Sequence, residues 1–476
     1  MKLIYGVKDK PKFGQLIIFA IQQLLAIMTA TLVIPVIIGN GMSPAAALVG
    51  AGVGTLFYVF STKAKSPVFL GSSFAFIGTM FAAFAGGVSM SLGYLGLILG
   101  ALFAGLVYII IAIIVKFAGV NWINKLMPAS VIGPTVAIIG LSLAGNAISD
   151  LTKGSVPNVE ASPLITVLCG IITLVITITC SVYGKKTGKL IPFIFGILGG
   201  YAASLIFTIF GNAFDIDAIK ILNVEPLKAL YADGITINTF FTIPNFTVFT
   251  AVGGFKELNI AYISTIAVAY IPVAFVVFAE HIADHKNISS IIETDLLVEP
   301  GLHRSLIGDG VGSFLGAIFG GCPNTTYGES IGCVAITKNA SVYTIITAAI
   351  MAIIIAFISP FIAFVNSIPS CVMGGVCMAL YGFIAVSGLK MVQSVNLNLN
   401  KNLFVVSTIL IAGIGGLTLN FGQITITSIA CALILGIIVN LIGLFVNSWG
   451  KIKWNWCGNL NCRIGFFLFT LISKHM

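Results

Sequence analysis

Glu329 follows the run Cys322-Pro323-Asn324-Thr325-Thr326-Tyr327-Gly328 and precedes Ser330-Ile331-Gly332, which continues to Thr337-Lys338. A carboxylate, two threonines, an asparagine and a tyrosine stand there beside a proline and closely spaced glycines, in otherwise apolar surroundings. Burying a carboxylate at membrane depth is costly, and irregular backbone is tolerated there only around a cavity or packed protein. The stretch therefore reads as a substrate site. A second candidate is Phe278-Ala279-Glu280-His281-Ile282-Ala283-Asp284-His285. On a helix Glu280 and Asp284 stand at i and i+4, so two carboxylates share a face with His281 beside it. Like charges at that spacing repel and burial disfavours both, which is the chemistry of a group that holds and releases a proton. Asp284 and His285 equally suit a solvated helix end. Glu280 and Glu329 read as the only acidic residues well inside apolar segments. Two such carboxylates suit a ligand with N–H donors, and free backbone N–H groups at a helix break suit its carbonyl oxygens. A flat ring with alternating N–H and C=O groups satisfies both, with Tyr327, Phe74 and Phe76 as a stacking face, unless those rings only pack the interior.

These residues must be positioned by membrane-spanning helices. The chain has 476 residues, 58% hydrophobic and 8% charged, with a mean hydropathy of +1.09, more apolar surface than a soluble domain could hide. Its net charge of +9 is dealt out singly and in pairs between apolar runs, which argues against nucleic acid as a partner and for a topology signal. Nine cysteines are scattered mostly inside apolar runs and read as small buried hydrophobes. Cys457 and Cys462 lack the further Cys or His pair that a zinc site needs, and no metal is expected. The apolar stretch from Phe13 to about Gly39 is too long for the core of a cleavable signal and reads as a first span.

Uncharged runs of about 20 residues mark the spans. Residues 13–62 break at Gly39-Asn40-Gly41-Met42-Ser43-Pro44 and residues 66–115 near Gly86-Gly87-Val88-Ser89, giving four; runs 126–149, 161–184 and 190–214 make seven. Residues 215–257 form a polar external join, in which Ile235-Thr236-Ile237-Asn238-Thr239-Phe240-Phe241-Thr242 alternates like a short strand or interfacial segment. Span eight is expected from about 258 to Glu280 and a little beyond, span nine from 305 to 320, and the Glu329 stretch is a short, interrupted span ten. Runs 339–389 and 402–450 split at Asn366-Ser367-Ile368-Pro369 and Leu419-Asn420-Phe421-Gly422 to give four more. On this count one side of the membrane holds 20 Lys and Arg and the other only Lys153, Lys220, Lys228 and Lys256, 24 in all. Both termini are accordingly expected in the cytoplasm.

Seven spans per half means that the second half enters from the opposite side, an inverted repeat. The third span of each half has an unusual centre: Leu70-Gly71-Ser72-Ser73-Phe74-Ala75-Phe76 and Thr325-Thr326-Tyr327-Gly328-Glu329-Ser330. Interrupted segments at matching positions point to a transporter site, although Gly and Ser also serve close helix packing.

Glu329-Ser330-Ile331-Gly332, four residues, then Thr337-Lys338 resembles the signature of the nucleobase/ascorbate transporter family. With Pro300-Gly301-Leu302-His303-Arg304-Ser305, Leu70 to Phe76 and Ala279-Glu280-His281, the chain is similar to that family's bacterial uracil permease branch from about residue 5 to 445. The resemblance implies an all-α polytopic membrane protein of 14 segments in two inverted seven-segment repeats, with short β-strands interrupting spans three and ten. It implies a core domain (about 13–117 and 258–367) and a gate domain (about 126–214 and 372–448). Residues 1–12, 13–214, 215–257, 258–448 and 449–476 would be the cytoplasmic N-terminus, first repeat, external connection, second repeat and cytoplasmic tail. It further implies uracil–proton symport in the cytoplasmic membrane, no cofactor beyond the coupling proton, no enzymatic activity and a homodimer.

By position, Glu280 and Glu329 match carboxylates that hold the uracil ring, Phe74 and Gly328 match residues offering backbone N–H groups, and Tyr327 and Tyr381 match pocket aromatics. Ser73 joins that substrate set, while Glu280, Asp284, His285 and Gln23 are the candidates for proton coupling. Glu at the first signature position favours pyrimidines over purines. Four positions depart from the pattern: Ser330 for Asn, Gln22-Gln23 for Gln-His, Asp284 for a second histidine, and Pro369-Ser370-Cys371 for a Pro-x-Pro hinge. Alternatives on the same scaffold are another base such as xanthine or uric acid, ascorbate, or a sulfate-type anion, which two pocket glutamates disfavour; a channel or sensor is a different class. Residues Trp454 to Cys462 have no family counterpart, and Phe466 to Ile472 is too short to cross a membrane and suits its inner surface.

Overall fold

The computed structural model describes residues 3–457 apart from 120, 186, 187, 189, 190, 233, 422 and 423. Cys462 and the stretch from Phe466 to Ile472 lie outside the described residues. Helices begin where the sequence supplies caps. Ser43 accepts from the Ala46 N–H at the start of α1's successor, α2 (Pro44–Ser61), while α1 itself spans Phe13–Ile38. After β1 (Leu70–Ser72) and the short α3 (Ile77–Ala83), Ser89 caps α4 (Met90–Ala118) in the same way. The run 126–149 folds as α5 (Ala129–Ser142) and α6 (Ala144–Leu151), followed by α7 (Pro163–Tyr183) and α8 (Pro192–Ala213), each opened by the proline that a first helical turn accepts.

The second half begins with α9 (Ile260–Ile292), capped by Asn259, and continues with α10 (Leu302–Gly320), β2 (Asn324–Thr326), α11 (Gly328–Thr337) and α12 (Val342–Ile355). A short helix at Ser359–Ser367 leads into α13 (Ser370–Gln393), α14 (Asn400–Ile414), the hairpin of β3 (Leu419–Phe421) and β4 (Ile424–Ile426), and α15 (Ser428–Cys457). Among the described residues nine helical stretches are long and apolar enough to cross a membrane.

Three expectations are corrected. Helix α9 has 33 residues, about 50 Å at 1.5 Å per residue, so Asp284 and His285 lie inside it and not at a solvated end. The alternating segment at 235–242 is helical at Ile237–Phe240, with a single bridge from Phe241 to Ile358, because Thr236 and Thr239 form a capping box that closes a helical turn. Span nine, within its expected bounds, buries an overlooked acid, Asp309, so Glu280 and Glu329 are not alone inside apolar segments.

Packing partners fall into two sets. Helices α1, α2, α4, α9, α10 and α12 pack among themselves, and α5 to α8 pack with α13 to α15. The first set is held by glycine seams: Gly50 and Gly54 of α2 face Gly316 and Gly312 of α10 so closely that a Cβ on Gly50 would stand 2.7 Å from the Gly316 carbonyl oxygen. Gly50→Val is expected to destabilise the protein by about 1–3 kcal/mol through overpacking, read as a lower unfolding temperature in detergent. An unchanged temperature would show that the seam accepts a side chain.

Candidate substrate site

The two unusual centres singled out in the sequence meet each other. Strands β1 and β2 pair antiparallel, Leu70 opposite Thr326, Gly71 opposite Thr325 and Ser72 opposite Asn324. Proline 323 and the glycines deny both segments a continuous helix, so each strand must find its backbone partners elsewhere. The pair extends beyond its ladder: Ser73 N–H donates to the Pro323 carbonyl at 2.9 Å and Tyr327 N–H to the Phe69 carbonyl at 3.2 Å. Side chains complete the set. Thr55 Oγ1 accepts from Leu70 N–H and donates to the Leu70 carbonyl, and Tyr327 O–H donates to the Ser72 carbonyl at 2.5 Å. Asn324 Nδ2 donates to the carbonyls of Gly50 and Gly312, tying β2 into the glycine seam.

Directly after each strand a helical segment begins, at Phe74 and at Gly328, so N-terminal backbone N–H groups and the positive ends of two helix dipoles border the same space. That space is a cavity of about 400 Å³, in the range of small-molecule sites. Glu280 and Asp284 of α9, Ser73 and Phe74 after β1, and Thr325 to Glu329 form its polar side; Val136 and Ile139 of α5 and Leu380, Phe383 and Ile384 of α13 form an apolar side. Asp284 accepts a hydrogen bond from Thr326 Oγ1 at 2.7 Å. Among the described residues no Lys or Arg lines the cavity.

The structure separates the remaining sequence candidates. Tyr381 stands behind the wall, its ring 6.0 Å from Phe74 and edge-on to it, while Phe76 stacks on Tyr270 in the interior and offers no ligand face. Ser330 is fully buried, and its Oγ accepts from both the Gln23 amide and Phe69 N–H. Two of the departures from the signature pattern thus touch, and the serine steadies the residue that leads into β1. Gly332 is half-buried in α11, Thr337 donates to the Cys333 carbonyl, and Lys338 is exposed at the helix end, where its carbonyl receives Ile4 N–H. His285 faces away from the cavity: its Nδ1 lies 2.9 Å from the His281 carbonyl and its Nε2 2.9 Å from Tyr58 O–H.

Sequence reasoning missed Asp309, which is completely buried and lies 2.7 Å from His281 Nδ1, with Ser305 on Nε2 at 2.9 Å. The signal was a lone acid between glycines inside an apolar run, the same signal that identified Glu280. His281 is therefore spoken for by Asp309 and does not flank the cavity carboxylates as its sequence position suggests.

Apolar spans broken by paired strands around a polar cavity define a multi-pass membrane protein built as a transporter. The sequence matches the Permease family over residues 14–422, and the chain belongs to that family. It is 37% identical over 449 residues to the uracil permease of Bacillus subtilis (strain 168), covering 93% of this chain and 95% of that one. It is 36% identical over 440 residues to the uracil permease of Escherichia coli (strain K12), covering 92% and 93%. Among solved structures it resembles the transmembrane domain of the cyanobacterial bicarbonate transporter BicA (TM-score 0.60, 14% identity, 92% of this chain and 100% of that one). It also resembles SLC26A9 (TM-score 0.62, 11% identity, 92% and 66%). At these identities the likeness is one of fold.

Removing the Ser330 hydroxyl orphans two buried donors. Ser330→Ala is expected to cost about 1–3 kcal/mol, and adding Gln23→Leu should cost less than the sum of the two single changes because they share one interaction. Additive losses in thermal unfolding would contradict the contact.

Proposed function

We propose that this chain is a secondary carrier that imports uracil with protons by alternating access. The observation that carries the reading is the convergence of Glu280 and Glu329, from separate elements, with two helix N-termini on one cavity. Ring N–H groups would donate to the carboxylates, and ring carbonyls would accept from backbone N–H groups near Phe74 and Gly328. The relatives named uracil permeases support the choice of base. Tyr327 and Phe74 would contact the ring, with Ser73 beside them and Tyr381 supporting Phe74. Glu280 and Asp284, one helical turn apart on the cavity side, are the proposed proton carriers. Gln23 acts indirectly, through Ser330.

The proposal extends to architecture. Fourteen spans in two inverted repeats are supported by the matching strands β1 and β2, each set between an apolar helix pair and a short helix. The two packing sets correspond to a core domain (about 13–117 and 258–367) and a gate domain (about 126–214 and 372–448), with the cavity between them. Contacts at the helix ends support the sidedness: Tyr5 bridges to Asn339 and Lys65 to Glu299 on the lysine-rich side, and Ser155 meets Ser370 and Ser89 meets Glu257 on the other. We place the lysine-rich side and both termini in the cytoplasm of a cell whose cytoplasmic membrane holds the protein as a homodimer. A cavity lined, among the described residues, by three carboxylates and no Lys or Arg opposes an anionic cargo.

Glu329→Gln keeps the size of the side chain and exchanges two charged acceptors for an amide. It is expected to weaken uracil binding about 10- to 100-fold, the worth of a charged hydrogen bond, measured by equilibrium binding of labelled uracil to the purified protein. Unchanged binding would remove Glu329 from the site.

A further inference from the structure

Strands β1 and β2 are anchored where α2 and α10 touch, by contacts that come in reciprocal pairs. A Cβ on Gly54 would stand 2.8 Å from the Gly312 carbonyl oxygen, and one on Gly312 would stand 3.1 Å from the Gly54 carbonyl oxygen. The first residues of the two strands meet at this point. Asn324 of β2 sets its amide against Gly54, and Leu70 of β1 sets its side chain against Gly312, each within 2.6 Å of where a Cβ on the glycine would stand. The residues that follow the two glycines, Thr55 and Ser313, are buried and hold the backbones of the same pair. Thr55 Oγ1 accepts from Leu70 N–H at 2.9 Å and donates to the Leu70 carbonyl at 3.2 Å. Ser313 Oγ donates to the Asn324 carbonyl at 2.7 Å.

The ladder cannot serve these backbone groups. Hydrogen bonds between antiparallel strands engage alternate residues. Phe69 and Ser73 on one strand bond to Tyr327 and Pro323 on the other, so Leu70 and Asn324, each one residue along, face outward. A buried backbone group turned outward needs a partner from elsewhere. A hydroxyl on an apolar helix commonly bonds within that helix, and Thr135, Thr173 and Thr177 each donate to the carbonyl four residues back. Thr55 and Ser313 are spent on the strands instead. Four residues beyond Leu70 and Asn324 stand Phe74 and Gly328, where the helical segments bordering the cavity begin.

We propose that Thr55 and Ser313 are positioning residues, each fixing the helix start that reads one carbonyl of the pyrimidine ring. Thr55 acts through β1 on the N–H groups at Phe74, and Ser313 acts through β2 on those at Gly328. This rests on the reading of the cavity as a uracil site. Neither hydroxyl lines the cavity. Both act from behind it, because a strand passes any displacement of its first residue on to the helix start, and a hydrogen bond weakens steeply as its angle departs from linear. The two clamps serve different helix starts and therefore different acceptors on the ring.

The test is equilibrium binding of uracil, 2-thiouracil and 4-thiouracil to the purified full chain. Each thio analogue keeps both ring N–H groups and exchanges one carbonyl oxygen for sulfur, a weaker acceptor. The unaltered protein is expected to bind each analogue about tenfold more weakly than uracil. Thr55→Val keeps the volume and removes the hydroxyl. It is expected to weaken uracil binding about tenfold and to bring one analogue within about twofold of uracil, leaving the penalty of the other in place. Ser313→Ala should do the same for the other analogue, and Thr55→Ser, which keeps the hydroxyl, should restore the unaltered pattern. A merely structural role would weaken all three ligands by one factor. That result overturns the proposal, and so do unchanged affinities or loss of the same analogue's penalty in both variants. Ser313→Ala removes a single bond, so its binding pattern decides the matter even where Thr55→Val does not fold. An unaltered protein that binds uracil with no penalty for either analogue overturns the proposal while leaving the substrate standing. One that binds no uracil overturns the reading beneath it.

Discussion

A backbone N–H or carbonyl buried in a bilayer must find a protein partner, and the organisation of this protein follows from how that demand is met at one place. Two segments that proline and glycine keep from being helical would each leave several buried groups unpaired. They meet as β1 and β2, and each satisfies the other. Thr55, Tyr327, Asn324 and Ser330 supply what the ladder leaves over. None of these four is explained by lipid or by simple packing. They are the supports of a break in the membrane.

The break creates what a continuous helix cannot: backbone N–H groups at two helix starts, bordering a cavity beside carboxylates. The cost is met by close approach, because Asn324 reaches the carbonyls of Gly50 and Gly312 only where α2 and α10 come together along their glycines. The opposite wall, from α5 and α13, is apolar except for Ser387 and belongs to the other packing set. A polar wall held rigid against its own set and an apolar wall on another fit the division of labour proposed for alternating access.

Much of this was legible in the sequence, for stated physical reasons. Charge-free runs gave the helices, and the two interrupted centres stood out because hydroxyls, glycines and an acid are out of place among apolar residues. Glu280 and Glu329 reach one cavity, as their burial pattern implied. What the sequence hid depends on tertiary distance. Helix α9 continues well beyond Glu280 because its inner turns pack against α2 and α11, so a pattern that reads as a solvated end, Asp284-His285-Lys286, contains two inward residues. The substitution of Ser330 and the neighbouring change at Gln23 look unrelated over 307 positions, yet one donates to the other. Asp309 was visible as a charge in an apolar run, but only its contact with His281 shows why α10 tolerates it.

The proposed function requires a cavity whose carboxylates bind a pyrimidine and carry a proton. Its most direct test is uptake of labelled uracil into liposomes containing the purified protein, with and without an inward proton gradient and in competition with xanthine and ascorbate. Accumulation driven by the gradient and blocked by uracil analogues alone is the predicted result. Accumulation of xanthine or ascorbate without uracil, or uracil exchange indifferent to the gradient, would contradict it.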